Sequence, residues 1–196
     1  MTSIPLRALD GSADVPATLA ESAVVLIDYQ NTYTTGVMEL TGWDQALDQA
    51  ADLLARARAA GAPVIHVQHD SGPGSPYDIT APIGRIHDRV APVAGEEVVT
   101  KTAPNSFVDT PLADLIAATG RRQVVLAGFM THMCVTFTAE GAALRGYDLT
   151  VVADACATRA LPSAAGDVPA EQLHAAALAT IGDAYGAVVG SAADLR

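Results

Sequence analysis

The sequence is poor in cysteine: Cys134 and Cys156 are the only two in 196 residues. Two cysteines make no disulfide framework. A chain of this length buries roughly 70% of its unfolded surface, so apolar burial can hold it without a covalent staple or a structural metal. Basic residues are also few, with 11 Lys and Arg against 22 Asp and Glu and a formal net charge of −11. That balance excludes a nucleic-acid backbone or an anionic membrane surface as partner. No apolar run reaches the roughly 18 residues that cross a bilayer. The opening stretch MTSIPLRALDGSADVPATLAES has no basic segment followed by an apolar core. No secretory leader is therefore expected, and the chain reads as cytoplasmic with reduced thiols. Nucleotide-binding signatures are missing as well. The first apolar run is followed by DYQNTYTTG instead of G-x-G-x-x-G, and no G-x-x-x-x-G-K-[ST] loop occurs.

What is present is apolar and alternates in period. Half of the residues are hydrophobic. Six short runs lack polar alternation: AVVLID (23–28), APVIHVQH (62–69), EEVVTK (96–101), RQVVLAG (122–128), YDLTVVAD (147–154) and GAVVG (186–190). Such runs predict strands covered on both faces, as in parallel sheets. Between them lie segments with helical spacing: 43–61, which ends in Gly61; 110–120, with Pro111 in its first turn; 132–146; and 169–183. Residues 1–22 read as an irregular lead-in, and 70–95, rich in Pro and Gly, as a long irregular excursion of the functional kind. The alternation predicts one domain over 1–196: an α/β, three-layer α-β-α fold around a six-stranded parallel sheet. Ligands of such sheets bind beyond the carboxyl ends of the strands.

That rule selects Asp28, the His69–Asp70 end, Lys101 and the loop from Gly128 to Cys134. Each has an ordinary reading: Asp28 as a turn residue, Lys101 as a solvated charge, Cys134 as small filler. Together they make a nucleophile. A thiol is mostly protonated at neutral pH. An ammonium at Lys101 and the start of the following helix would favour its ionisation. A carboxylate at Asp28 could accept the proton and return it to a leaving group. Free N–H groups at the helix start could hold an oxyanion. The chemistry supported is acyl transfer to water from an amide or similar small molecule, through a thioester.

The blocks AVVLIDYQNTY, VVTKTAPNSFVDTPL and VVLAGFMTHMCVTFTAEGAALRGYDLTVVADACATR resemble the isochorismatase-like cysteine hydrolase superfamily. That group includes nicotinamidase and N-carbamoylsarcosine amidohydrolase. The match runs from about residue 22 to the end. The resemblance implies strand order 3-2-1-4-5-6, a triad of Asp28, Lys101 and Cys134, and a cis peptide at Phe129–Met130. That peptide would turn the Met130 N–H toward the Cys134 N–H as the oxyanion hole. It also implies a homodimer or homotetramer. Some members named for isochorismate chemistry lack the cysteine, and its retention here favours thiol-dependent cleavage of a C–N bond. The remaining alternatives are a vinyl-ether hydrolase and a non-catalytic binding or scaffold member of the fold.

The chain departs from the nicotinamidase pattern in its metal site. HVQHDSGPG stands where an Asp-x-His is expected. His66 and His69 are three apart and would face opposite sides of a strand. His69, Asp70 and His87 could meet only across the loop, so no metal and no cofactor is expected. Gln30, Asn31, Tyr33, Phe107 and Thr131 are the candidate substrate contacts, with Thr131 also suited to cap the helix. His132, two residues before the thiol, is set aside as the base in favour of Asp28. Cys156 reads as packing, and Trp43 as a cover for the pocket mouth or an interface.

Overall fold

The computed structural model describes residues 3–12 and 15–196. A single helical turn, α1 (Leu6–Leu9), precedes the sheet. The irregular lead-in expected over 1–22 therefore contains this turn and a short 3-10 turn at Leu19–Glu21, its last residue, Ser22, opens β1, and its residues 1, 2, 13 and 14 lie outside the described residues. The main elements follow as β1 (Ser22–Ile27), α2 (Trp43–Ala59), β2 (Val64–His69), β3 (Glu97–Lys101), α3 (Leu112–Ala118) and β4 (Gln123–Gly128). Then come α4 (Thr136–Ala143), β5 (Asp148–Val152), a small hairpin of β6 (Leu161–Ser163) and β7 (Gly166–Val168), α5 (Ala170–Ala184) and β8 (Ala187–Val189).

The six longer-range strands form one parallel sheet, ordered β3-β2-β1-β4-β5-β8, flanked by helices. It is the expected order, with the last strand numbered eighth because the hairpin intervenes. Sequence patterning gave no sign of that hairpin. Its strands are three residues each and mostly exposed, so burial leaves no period to read.

Every residue of β1 is buried, which explains its unbroken SAVVLI. β1 pairs with β2 on one side and β4 on the other, with Ile27 opposite both Val67 and Gly128. Here the chain reverses its direction of travel across the sheet, and the two crossovers leave a crevice at the carboxyl ends. Gly128 is required there: a Cβ would lie 2.3 Å from the Ile27 carbonyl oxygen. α2 seals its side with Ala46, Leu47, Ala50, Leu53, Leu54 and Ala57, a stripe at three- and four-residue spacing. Among the described residues, no helix is long and apolar enough to cross a membrane.

Candidate active site

Four strand ends meet at the crevice. Asp28 follows β1 directly and takes a left-handed conformation at φ 53°. A non-glycine residue there is uncommon, and Asp is among those that tolerate it best. The turn lifts its carboxylate out of the strand's alternation and over the rim. Lys101 ends β3, the edge strand, and pairs in register with His69 at the end of β2. Its side chain therefore crosses β2 to reach Asp28. The backbone beyond β4 makes a wide turn over Thr131–Val135, in which the Val135 N–H reaches back five residues to the Met130 carbonyl, at 3.2 Å. α4 continues from it. The helix expected over 132–146 thus begins as this wider turn, and the turn carries Cys134.

The three side chains converge. Lys101 Nζ lies 2.8 Å from an Asp28 oxygen and 3.3 Å from Cys134 Sγ. Asp28 is fully buried, Lys101 is 1% exposed and Cys134 5%. Beyond the ion pair, neither Asp28 oxygen takes a hydrogen bond of ordinary geometry among the described residues. Burial raises the Asp28 carboxyl above its ordinary value, against the opposing pull of Lys101. Burial, and then the Asp28 charge, push the Cys134 thiol up to about 12, although Lys101 favours the thiolate. Burial alone would lower Lys101, but the charges of Asp28 and Cys134 outweigh it, and the ammonium is held above its ordinary value. At neutral pH the site therefore holds an ammonium and a protonated thiol. The ionisation expected from Lys101 and the helix start does not hold in the resting site, because desolvation is the larger effect.

The Phe129–Met130 peptide bond is cis. The Met130 N–H donates to no acceptor among the described residues, while the N–H groups on either side of it are engaged: Phe129 to Ile27 O at 2.9 Å and Thr131 to Ala157 O at 3.0 Å.

The expected substrate contacts divide. Tyr33 is buried, edge-on to Phe129 and to Tyr77, each at 5.8 Å between ring centres, and forms a wall. Gln30 does not face the crevice with free groups. Its oxygen accepts the His69 N–H at 2.8 Å, and its nitrogen donates to the His69 and Gly84 carbonyls. It ties the 70–95 excursion to the sheet. Asn31 spends its amide on the Pro82 carbonyl at 2.8 Å. Phe107 stacks on Tyr147 under the Arg145 guanidinium, against α4. Thr131 caps nothing. Its buried hydroxyl pairs with His174 Nδ1 of α5 at 2.9 Å. His132 turns to the Thr158 hydroxyl. Cys156 is buried, its thiol directed to the Val152 carbonyl at 3.3 Å. Trp43 rests against His87 and Arg89.

The three metal-site candidates part company. His69 Nδ1 lies 3.3 Å from Lys101 Nζ, Asp70 accepts the Gly72 N–H, and His87 accepts the Arg89 N–H. Among the described residues, no three His, Cys, Asp or Glu side chains are grouped to hold a metal ion.

Three residues at the site had no assigned catalytic or substrate-binding role in the sequence. His69 abuts Lys101. Tyr77, from the excursion, packs edge-on to His69 at 4.9 Å, and burial raises its phenol, with the Cys134 and Asp28 charges adding to the shift. Arg159 lies close enough to lower His132 further, after burial, and to oppose the rise at Tyr77. Its Nε is buried with no acceptor among the described residues. Only Arg159 had a signal available: an arginine closing the ACATR run after β5, in a chain with few cations.

A model of the isochorismatase domain matches residues 22–194. A secreted isochorismatase effector of Verticillium dahliae is 37% identical over 186 residues, covering 94% of this chain and 96% of its own. A streptothricin hydrolase of Streptomyces noursei is 38% identical over 164 residues, 82% of this chain and 65% of the longer relative. Other relatives are named as amidohydrolases. The crystal structure of an isochorismatase from Pseudomonas putida KT2440 superposes with a TM-score of 0.96 at 34% identity, over the whole of both chains.

Proposed function

This chain belongs to the isochorismatase family of hydrolases, and from that premise we propose that it cleaves a C–N bond of a small carboxamide, ureido compound or lactam through a thioester on Cys134. The observation that carries the reading is the single ammonium of Lys101 held between a carboxylate and a thiol at 2.8 and 3.3 Å. Beyond the Lys101 ion pair the Asp28 oxygens take no ordinary hydrogen bond among the described residues, so the carboxylate form is a ready acceptor for the thiol proton. As Sγ attacks the carbonyl carbon, that proton passes to Asp28, and Lys101 offsets the charge developing on sulfur. The carbonyl oxygen becomes an oxyanion facing the Met130 and Cys134 N–H groups. Asp28 then delivers its proton to the departing nitrogen and the C–N bond breaks. Water attacks the thioester, giving its proton to Asp28, which returns it to sulfur. The balance is amide plus water to carboxylic acid plus amine or ammonia.

Arg159 supports a narrower substrate class. A guanidinium nitrogen buried beside the site, with no partner among the described residues, fits an anionic group on the substrate. In a chain of net charge −11, a local cation is what an anionic substrate needs. Tyr33 and Tyr77 wall the space opposite.

The test is intact-protein mass spectrometry with a panel of small carboxamides, ureido acids and lactams, each with and without a carboxylate. The expected result is a transient acyl adduct on the wild type. Hydrolysis should fall by about 10⁴-fold or more in Cys134→Ala. Turnover that survives the loss of the thiol would overturn the thioester reading and favour the vinyl-ether type of hydrolysis, which needs none.

A further inference from the structure

The turn that carries Cys134 is held from two sides by hydroxyl–imidazole pairs. Thr131 Oγ1 meets His174 Nδ1 of α5 at 2.9 Å, and His132 Nδ1 meets Thr158 Oγ1. Both hydroxyls are buried: Thr131 is fully enclosed and Thr158 is 2% exposed. An apolar side chain would fill either place without the cost of desolvating a polar atom. What the hydrogen-bonded pairs add is direction, which packing alone supplies poorly.

That direction bears on one atom. The Met130 N–H has no acceptor of its own among the described residues, so its aim depends on its neighbours. On one side Phe129 is clamped to β1 through Ile27 O. On the other side Thr131 is clamped by its N–H to Ala157 O and by its side chain to His174. The Thr131 carbonyl also accepts the Thr136 hydroxyl at 2.7 Å, which ties the same residue to the start of α4. Thr131 is thus where α4, α5 and the 157–158 segment fix the turn together.

We propose that His174 is a positioning residue: acting through Thr131, it holds the turn so that the Met130 and Cys134 N–H groups converge on the oxyanion. This rests on the thioester reading above. The hydrogen bond of His174 is to Thr131, while the thiol faces Lys101. Its removal should leave ground-state binding intact and weaken only the interaction that strengthens in the transition state.

The experiment compares wild type, His174→Ala, His174→Asn and Thr131→Val. Asn places an amide polar atom where the imidazole Nδ1 stands, and Val keeps the volume of Thr without its hydroxyl. With whichever amide the wild type turns over, His174→Ala and Thr131→Val should each lower kcat about tenfold or more, with KM within about twofold. His174→Asn should recover most of the loss, and the His174→Ala/Thr131→Val double variant should be no worse than either single one. Amide hydrogen exchange over 130–135 should quicken in the Ala and Val variants while α5 keeps its protection. Thr131→Val carries the same prediction should the Ala variant fail to fold. An unchanged kcat, or a loss that Asn does not recover, would overturn the proposal, as would exchange that quickens along α5 instead of the turn. If the wild type hydrolyses no C–N substrate, the function reading fails, and the exchange pattern alone decides the role of His174.

Discussion

The sheet encloses two ionic clusters that share strands β2 and β3 and behave oppositely. In the middle of β2, His66 is 1% exposed and bonds Glu96 at 2.9 Å, just before β3. Glu96 also accepts two bonds from Arg58, at 2.7 and 2.8 Å, and the Val93 N–H at 3.0 Å. These partners, Arg58 foremost, pull its carboxyl down to about 2. At the carboxyl end of the same strands, Asp28 faces the Lys101 ammonium and the Cys134 thiol with no ordinary hydrogen bond among the described residues, and burial moves its carboxyl the other way. One cluster satisfies its charges and fastens α2 to the sheet edge. The other leaves a buried carboxyl with an ion pair but no ordinary hydrogen bond among the described residues, beside a thiol, an arrangement that costs stability and is informative for that reason.

Removing Lys101 should separate the clusters most sharply. Lys101→Met leaves Asp28 buried without a counter-charge, and should destabilise the fold by about 3–5 kcal/mol and lower turnover about 10³-fold. Adding Asp28→Asn to it should recover most of the stability and none of the activity, because a neutral amide needs no counter-ion. A double variant as unstable as the single one would show that Lys101 acts through packing of its stem. Calorimetry and steady-state rates read both parts.

The pH dependence tests the same contrast. In the proposed mechanism Asp28 must be ionised to accept the thiol proton, and its carboxyl lies above the ordinary 3.8. The acid limb of kcat/KM should therefore fall at a pH above the usual carboxylate range, and Asp28→Asn should remove that limb along with most of the rate. Glu96 should leave rate alone and appear in stability. Its folded value is about 2 against an ordinary 4.5. Between these values the unfolded chain binds the extra proton, so the stabilisation is complete above 4.5 and is lost as pH falls toward 2. Glu96→Gln should cost about 1–3 kcal/mol at neutral pH and flatten that acid loss, with turnover unchanged. Urea titrations at several pH values measure it.

The fold was legible because burial on both faces leaves unbroken apolar runs, and the strands of the sheet stand close to those runs. The convergence of Asp28, Lys101 and Cys134 was legible for a related reason: strand ends in a parallel sheet share one rim, so topology brings the three side chains together. Gln30 and Phe107 were read as substrate contacts from their place near strand ends, but such proximity does not fix where a side chain spends its hydrogen bonds or its ring. Gln30 faces its own backbone neighbours, and Phe107 faces Tyr147. The protonated state of Cys134 was not legible either. Residue types show that an ammonium is near, whereas desolvation depends on how completely Tyr33, Phe129 and their neighbours close the site. The hairpin β6–β7 and the approach of Tyr77 depend on loop paths that no periodicity encodes.

Arg159 tests whether the site's lack of hydrogen bonds extends to substrate choice. Its Nε has no acceptor among the described residues, unlike the guanidinium of Arg58, which is paired to Glu96. If a substrate anion completes it, Arg159→Gln should raise KM for a carboxylate-bearing amide about tenfold or more, the worth of one charge-assisted hydrogen bond. It should leave the uncharged analogue within about twofold, with kcat little changed for both. Added salt should raise KM for the anionic substrate in the wild type and hardly at all in the variant. Equal effects on charged and neutral substrates would mean that Arg159 shapes the wall near His132 and Tyr77 without reading charge. The contrast between a satisfied and an unsatisfied cluster would then stop at the triad.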